Sequence, residues 1–198
     1  KYDPEGMAYK WLNLSSSKTP QWKTHKPLGS WLKKPLLLIG GWWDPHLKGI
    51  LDIFEKSKKA GGNPKLLIGP ATHLQWWEGA QRTQLDFFDS HLKEKNKEIH
   101  FPQINLWNLT TKSWELSVQN KTPTWNLHSE GLASISHLEG CLVPNSDLEA
   151  DSEVNLVHDP WRPIPAIGGH LSDTAGEANR FKLDIRPDVA VFTSDPIL

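Results

Sequence analysis

Two short aliphatic runs, each closed by glycine and each leading to one polar side chain, constrain this chain more than anything else in it. Leu36–Ile39 lies between Pro35 and the pair Gly40-Gly41, and the stretch PLLLIGGWWD ends on Asp44. Lys65–Ile68 is stopped by Gly69-Pro70, and KLLIGPATH ends on His73. Runs this short, bounded by breakers, suit strands buried on both faces rather than helices. A parallel sheet sets such strand ends side by side at its C-terminal edge, where functional side chains gather.

The residues between the two runs read as a helix. Asp44-Pro45 is a start signal, with proline suited to the first turn. From His46 to Lys59, Leu47, Ile50, Leu51 and Phe54 fall at i, i+3, i+4 and i+7, one apolar stripe. Lys56, Lys58 and Lys59 favour the negative end of the helix dipole, and Gly61-Gly62 closes it. A second amphipathic helix runs from Gln81 to about Lys95, with Leu85, Phe88 and Leu92 on one face. Strand, helix, strand, helix with short connections is the repeating unit of a parallel sheet. Residues 31–98 therefore read as α/β, and because two strands are not stable alone they must complete a larger sheet.

On either side the pattern changes. Residues 1–30, rich in Ser, Lys, Pro and Trp, read as loop and short irregular helix at the end of a lid. The charged run Lys93–Glu98 marks a boundary. Beyond it Ile104–Leu109, Trp114–Val118, Thr124–Leu127, Val154–His158 and Val189–Thr193 read as short strands separated by Pro, Gly, Asn and Ser. Residues 99–198 are thus expected to form a β-sandwich or jelly roll, with Asp159–His170 (DPWRPIPAIGGH) as an ordered excursion. The fold class expected for the whole chain is α/β plus all-β.

Charge narrows the partners. The net charge is −1 and the pI about 6.8, which argues against a nucleic-acid or anionic-membrane partner. Residues 1–100 carry a net +6 and residues 101–198 a net −7, as two docked segments would. No apolar run approaches the roughly 20 residues of a membrane span. Cys141, the only cysteine, excludes an internal disulfide and reads as a small buried residue. The sequons at Asn13, Asn108 and Asn120 would matter only in a secreted protein and read as chance occurrences. The chain begins at Lys1 without an initiator methionine or signal peptide, so it reads as an excised piece. Its start does not report a compartment; a cytoplasmic one is the expectation.

Eleven tryptophans are far more than usual. Trp107, Trp114, Trp125 and Trp161 read as packing residues. Trp42, Trp43, Trp76 and Trp77 flank the two strand ends and are candidates for lining a substrate pocket.

An acid and then a histidine at successive strand ends match the order of the last two members of a serine-hydrolase triad. Histidine takes the nucleophile's proton while the carboxylate fixes its tautomer and stabilises the imidazolium. Asp44 could also simply cap the following helix. His46 reads as a helix-surface residue, His91 lies in a helix tail, and His100, His128, His137 and His158 fall in loops or strands. His170, after Gly168-Gly169, reads as a domain-interface residue. No set of ligands at zinc spacing stands out, and no cofactor or metal is expected.

At these residues the chain resembles the C-terminal half of the superfamily of X-prolyl dipeptidyl-peptidases, cocaine esterases and α-amino-acid ester hydrolases. GGWWD resembles that family's strand-end G-W-x-D, and IGPATH its G-P-x-x-H. LDFFDSHLKEK is similar to its following helix, and VHDPWRPIPAIGGH to a segment of its C-terminal β domain. LDIRPDVAVFTSDPIL resembles the next stretch of that domain. The likeness runs from about residue 31 to 198. It implies an α/β-hydrolase with a jelly-roll domain, with Asp44 as triad acid and His73 as triad base. It also implies acyl transfer from esters or amides, including aminoacyl or X-prolyl peptides, through an acyl-enzyme. No G-x-S-x-G occurs in the 198 residues, so the nucleophilic serine is expected outside them and the fragment alone is expected to be inactive.

The expected partner is a small-molecule or short-peptide substrate, with room for a homo-oligomer. Two other readings compete. One is a non-catalytic, Trp-rich β-sandwich that binds carbohydrate or protein; the other is a pseudoenzyme that truly lacks its serine.

Overall fold

A computed structural model of the chain describes residues 6–14, 16, 18–19, 22, 26–93, 101–116, 124–144 and 153–196. Its N-terminal stretch holds a short helix, α1 (Met7–Leu12), and a single 3-10 turn at Trp31–Lys33. Both aliphatic runs become strands, β1 (Leu37–Trp43) and β2 (Lys65–Thr72), joined by α2 (Leu47–Lys59). Helix α3 (Ala80–Leu92) comes next, then β3 (Ile104–Asn108) and β4 (Ser113–Glu115). Among the described residues no helix is long and apolar enough to cross a membrane.

These four strands form one sheet in the order β1-β2-β3-β4. The first three are parallel and β4 turns back antiparallel on β3. The charged run at 93–98 suggests a boundary that would assign residues 104–115 to a separate sandwich. Instead β3 and β4 extend the α/β sheet, with Leu66 opposite Ile104 and Ile68 opposite Leu106. The physical reason lies in β2: Leu66, Leu67, Ile68, Gly69 and Ala71 are all buried, so β2 is a central strand that needs a neighbour on each side. Residues 94–98 themselves lie outside the described residues.

The core sits between this sheet and α2. Phe54, Leu66 and Ile68 are buried together, flanked by Leu38, Trp42, Leu47, Ile50, Ile104 and Leu106. The expected α2 stripe is partly displaced: Leu51 stays exposed, while Ser57 is fully buried and donates a 2.5 Å hydrogen bond to the Leu32 carbonyl. In α3 the displacement is larger. Leu85, Phe88 and Leu92, the face expected to point inward, are exposed, and Ala80 and Phe87 are buried instead. Phe87 packs edge-on against Phe101 and its ring lies against His91, which turns the helix away from the periodicity's answer.

Beyond β4 the jelly-roll expectation meets less regular structure. The described residues there hold one two-stranded antiparallel sheet, β5 (Trp125–His128) with β6 (Cys141–Pro144), and two isolated bridges, Cys141 with Thr193 and Gly169 with Gly176. That is short of two stacked sheets. A strand must bond its N–H and C=O groups to a neighbour. Residues 154–158 lie along none among the described residues, and of 189–193 only Thr193 forms a bridge. A short helix, α4 (Phe181–Asp184), interrupts a stretch whose pattern shows no helical periodicity. Cys141 is half-buried, not fully enclosed.

Two arginine–aspartate pairs organise the C-terminal excursion. Arg186 donates to both Asp188 oxygens at 2.8 and 2.6 Å and to the Arg162 carbonyl at 3.1 Å. Arg162 in turn donates to Asp159 at 2.8 Å. The proline-rich stretch from 159 is thereby tied to the segment after α4.

This packing can be tested at two points. A Cβ at Gly41 would overlap the Ala71 carbonyl and stand 2.9 Å from the Ala71 Cβ, so Gly41→Ala forces β1 from β2. We expect it to cost about 1–3 kcal/mol in urea unfolding, the usual penalty of overpacking. The second point is Asp188, whose carboxyl is held below its ordinary value first by the Arg186 hydrogen bond, against a smaller opposing effect of burial. A depressed folded-state pKa contributes stability that is full above the unfolded carboxylate value of about 4 and is lost as pH falls below it. In Arg186→Gln the Asp188 midpoint, measured by carboxyl carbon NMR, should rise towards that ordinary value and the acid-side loss of stability should shrink.

Candidate active site

The site is built by strand register. Leu37 to Gly41 pair with Lys65 to Gly69, and a bulge between Gly41 and Trp43 then sets Trp43 opposite Thr72. The next residue on each strand is Asp44 and His73, so the two polar side chains emerge as neighbours. Gly41 faces Gly69 at the point of closest approach, and neither position has room for a Cβ: at Gly69 it would run into the Trp77 ring.

His73 Nδ1 lies 3.4 Å from Asp44 Oδ1. This exceeds a well-formed hydrogen bond. The two groups differ in access: the Asp44 side chain is 11% exposed and that of His73 57%. Asp44 is held from its own side of the chain. Its N–H donates to the Gly41 carbonyl at 3.1 Å, and its Oδ1 accepts the His46 N–H at 2.8 Å in an Asx turn that leads into α2. Asp44 does not cap α2 as the sequence allows: the helix has His46 at its N-cap with no side-chain cap, and the Asp44 carboxylate closes the turn before it. His73 is carried on a tight turn, in which the Thr72 N–H donates to the Gln75 carbonyl at 2.9 Å and Thr72 Oγ1 accepts the Gln75 N–H at 3.0 Å.

His73 opens into a cleft of about 450 Å³. One wall comes from Trp43, Pro45 and the turn at 72–75; the other comes from His170 and residues 172–175. That second wall is a loop closed on itself by two Gly169–Gly176 backbone hydrogen bonds of 2.8 and 3.0 Å. Gly168, Gly169 and Gly176 all have positive φ, which the loop's tight path requires. The glycine pair before His170 is the one signal of this wall in the sequence; nothing in the local pattern marks Ser172, Asp173 or Thr174.

Of the four tryptophans expected to line the pocket, Trp43 lines this cleft. Trp42 packs against the core and donates its indole N–H to the Trp107 carbonyl at 2.7 Å. Trp77 covers Gly69 and meets Trp114 edge-on at 5.2 Å, while Trp114 also packs against its cross-strand partner Trp107. Trp76 borders a separate apolar cleft between β1 and α3. Trp42 and Trp43 are successive residues of β1, so their side chains leave on opposite faces and do not share one pocket wall. Trp107 and Trp114 pack as expected, Trp125 is half-buried, and Trp161 is 94% exposed.

His46 has a larger place at the site than its sequence position suggests. It is exposed, as a helix-surface residue would be, but its ring lies edge-on to His73 with centroids 4.9 Å apart. His91 bonds back onto its own helix, His128 lies on β5, and His100 falls outside the described residues.

Comparison with known proteins bears on one part of the chain. Residues 1–75 match the sequence model of the X-Pro dipeptidyl-peptidase (S15) family. The matched stretch holds β1, α2 and β2 together with both Asp44 and His73, and it also takes in residues 1–30, where motifs alone show no clear likeness. No curated protein matches the chain. The match supports a peptidase-type hydrolase and stops before the C-terminal part.

Proposed function

We propose that this chain supplies the acid and the base of a serine hydrolase acting on esters or amides, with aminoacyl or X-prolyl peptides as the substrate class. The observation that carries the reading is the pairing of Asp44 with His73 at 3.4 Å on adjacent parallel strands, inside the stretch similar to X-Pro dipeptidyl-peptidases. A strand-end carboxylate sheltered from water and an accessible imidazole divide the work as a triad requires. Asp44 holds the imidazole and its tautomer, and His73 presents its other nitrogen to the cleft to take a proton from a nucleophile and return it to the leaving group.

The nucleophile in this reading is a serine supplied by a segment outside these 198 residues, since no G-x-S-x-G occurs in them. The fragment alone then lacks hydrolase activity. β1 supports the same view: its sequence reads as a strand buried on both faces, yet in the described sheet it has β2 on one side and an open edge on the other. The loop at 168–176 walls the cleft and would limit the size of the bound acyl or peptide group.

The test is substitution in the complete protein, assayed on aminoacyl esters and X-prolyl anilides. His73→Ala should lower kcat by roughly a million-fold, as removal of a triad base does. Asp44→Asn should lower it about ten-thousand-fold while leaving KM nearly unchanged, because it mainly selects the wrong tautomer. Near-normal turnover in His73→Ala would sink the assignment.

A further inference from the structure

Asp44, His46 and His73 place one carboxylate oxygen and two imidazole nitrogens within 4.8 Å of one another. Spacing in the sequence does not single them out as ligands, because the third member comes from the next strand of the sheet. The chemistry of the set is specific. Two imidazoles and a carboxylate are donors that zinc accepts in open, three-ligand sites, where a fourth position stays free for water. With zinc–donor bonds of about 2.0–2.2 Å, neighbouring donors on a tetrahedral ion stand about 3.4 Å apart. The separation of His73 Nδ1 from Asp44 Oδ1 is 3.4 Å.

The remaining donor needs little movement. His46 heads α2 with its backbone fixed by the Asp44 carboxylate, and its exposed ring already lies edge-on to His73. The three donor atoms already lie within 4.8 Å of one another, and the exposed His46 side chain has torsions to turn towards the other two. Asp44 is the anchored member and both histidines can close on an ion from the solvent side.

We propose that Asp44, His46 and His73 form a binding site for a single zinc ion, one that competes with the use of His73 as a base. Binding rests on the geometry of three side chains alone. The consequence, inhibition by zinc, rests on the hydrolase reading, and the two are separable by experiment.

The direct test titrates zinc into the purified complete protein against a chromogenic chelator, with no substrate present. One ion should bind per chain. His46→Ala should weaken binding at least about tenfold, the lower end of what loss of even an outer partner of a metal ligand costs. Asp44→Asn should weaken it too, and His170→Ala, which alters the opposite wall of the cleft, should leave it unchanged. Circular dichroism confirms that each variant keeps its fold. Failure to bind zinc, or a His46→Ala variant that binds as tightly as the parent, overturns the site. In the complete protein, zinc should inhibit turnover, and His46→Ala should relieve that inhibition; loss of inhibition with binding intact would count against the hydrolase reading and not against the site.

Discussion

The close approach of β1 to β2 is the constraint on which the rest of this structure depends. Gly41 opposite Gly69 lets the two strands run in register with no side chain between Gly41 and Ala71 or between Gly69 and Trp77. Beyond that pair β2 takes three steps, Gly69 to Thr72, against two of β1, and this bulge sets Trp43 opposite Thr72. With side chains alternating along each strand, a slip of one residue would send Asp44 or His73 to the opposite face. The acid and the histidine are thus neighbours because two glycines and one bulge fix where their strands end.

The same features explain what is legible in the sequence. Aliphatic runs cut off by glycine announce buried parallel strands, since only a strand covered on both faces can be apolar at every position. The connection between them could only be a helix, and Asp44-Pro45 and Gly61-Gly62 mark its ends. Asp44 and His73 can be read from their places after the strands. Other features depend on contacts that no local pattern encodes. The buried face of α3 differs from the expected one because its apolar residues satisfy helical periodicity on either side, and Phe101 decides which is covered. The charged run before β3 and β4 points them away from the sheet, although β2 needs the second neighbour they provide. The C-terminal half is the least regular, and a strand pattern without a partner strand says little about pairing.

Tryptophan shows the limit of reading function from residue type. Trp42, Trp76 and Trp77 sit next to the candidate catalytic positions in sequence but are spent on packing or on another surface. Trp42 reaches across the sheet to β3 with its indole N–H, and Trp77 lies over the glycine that makes the register possible. Only Trp43, the last residue of β1, reaches the cleft.

The asymmetry of the Asp44–His73 pair has its own chemical meaning. A carboxylate that is 11% exposed needs hydrogen-bond donors to remain stable as an ion, and it has a backbone N–H from His46 on Oδ1. That donor lies within the same turn, so the acid's orientation is set by β1 and α2 whatever His73 does. His73, more than half exposed on a turn of its own, is free to shorten the 3.4 Å gap when something fills the cleft. A fixed acid and an adjustable histidine suit a base that must accept a proton, carry it and release it. They equally suit capture by an electrophile, which is why the pair's nearest aromatic neighbour, His46, bears on how the site is used.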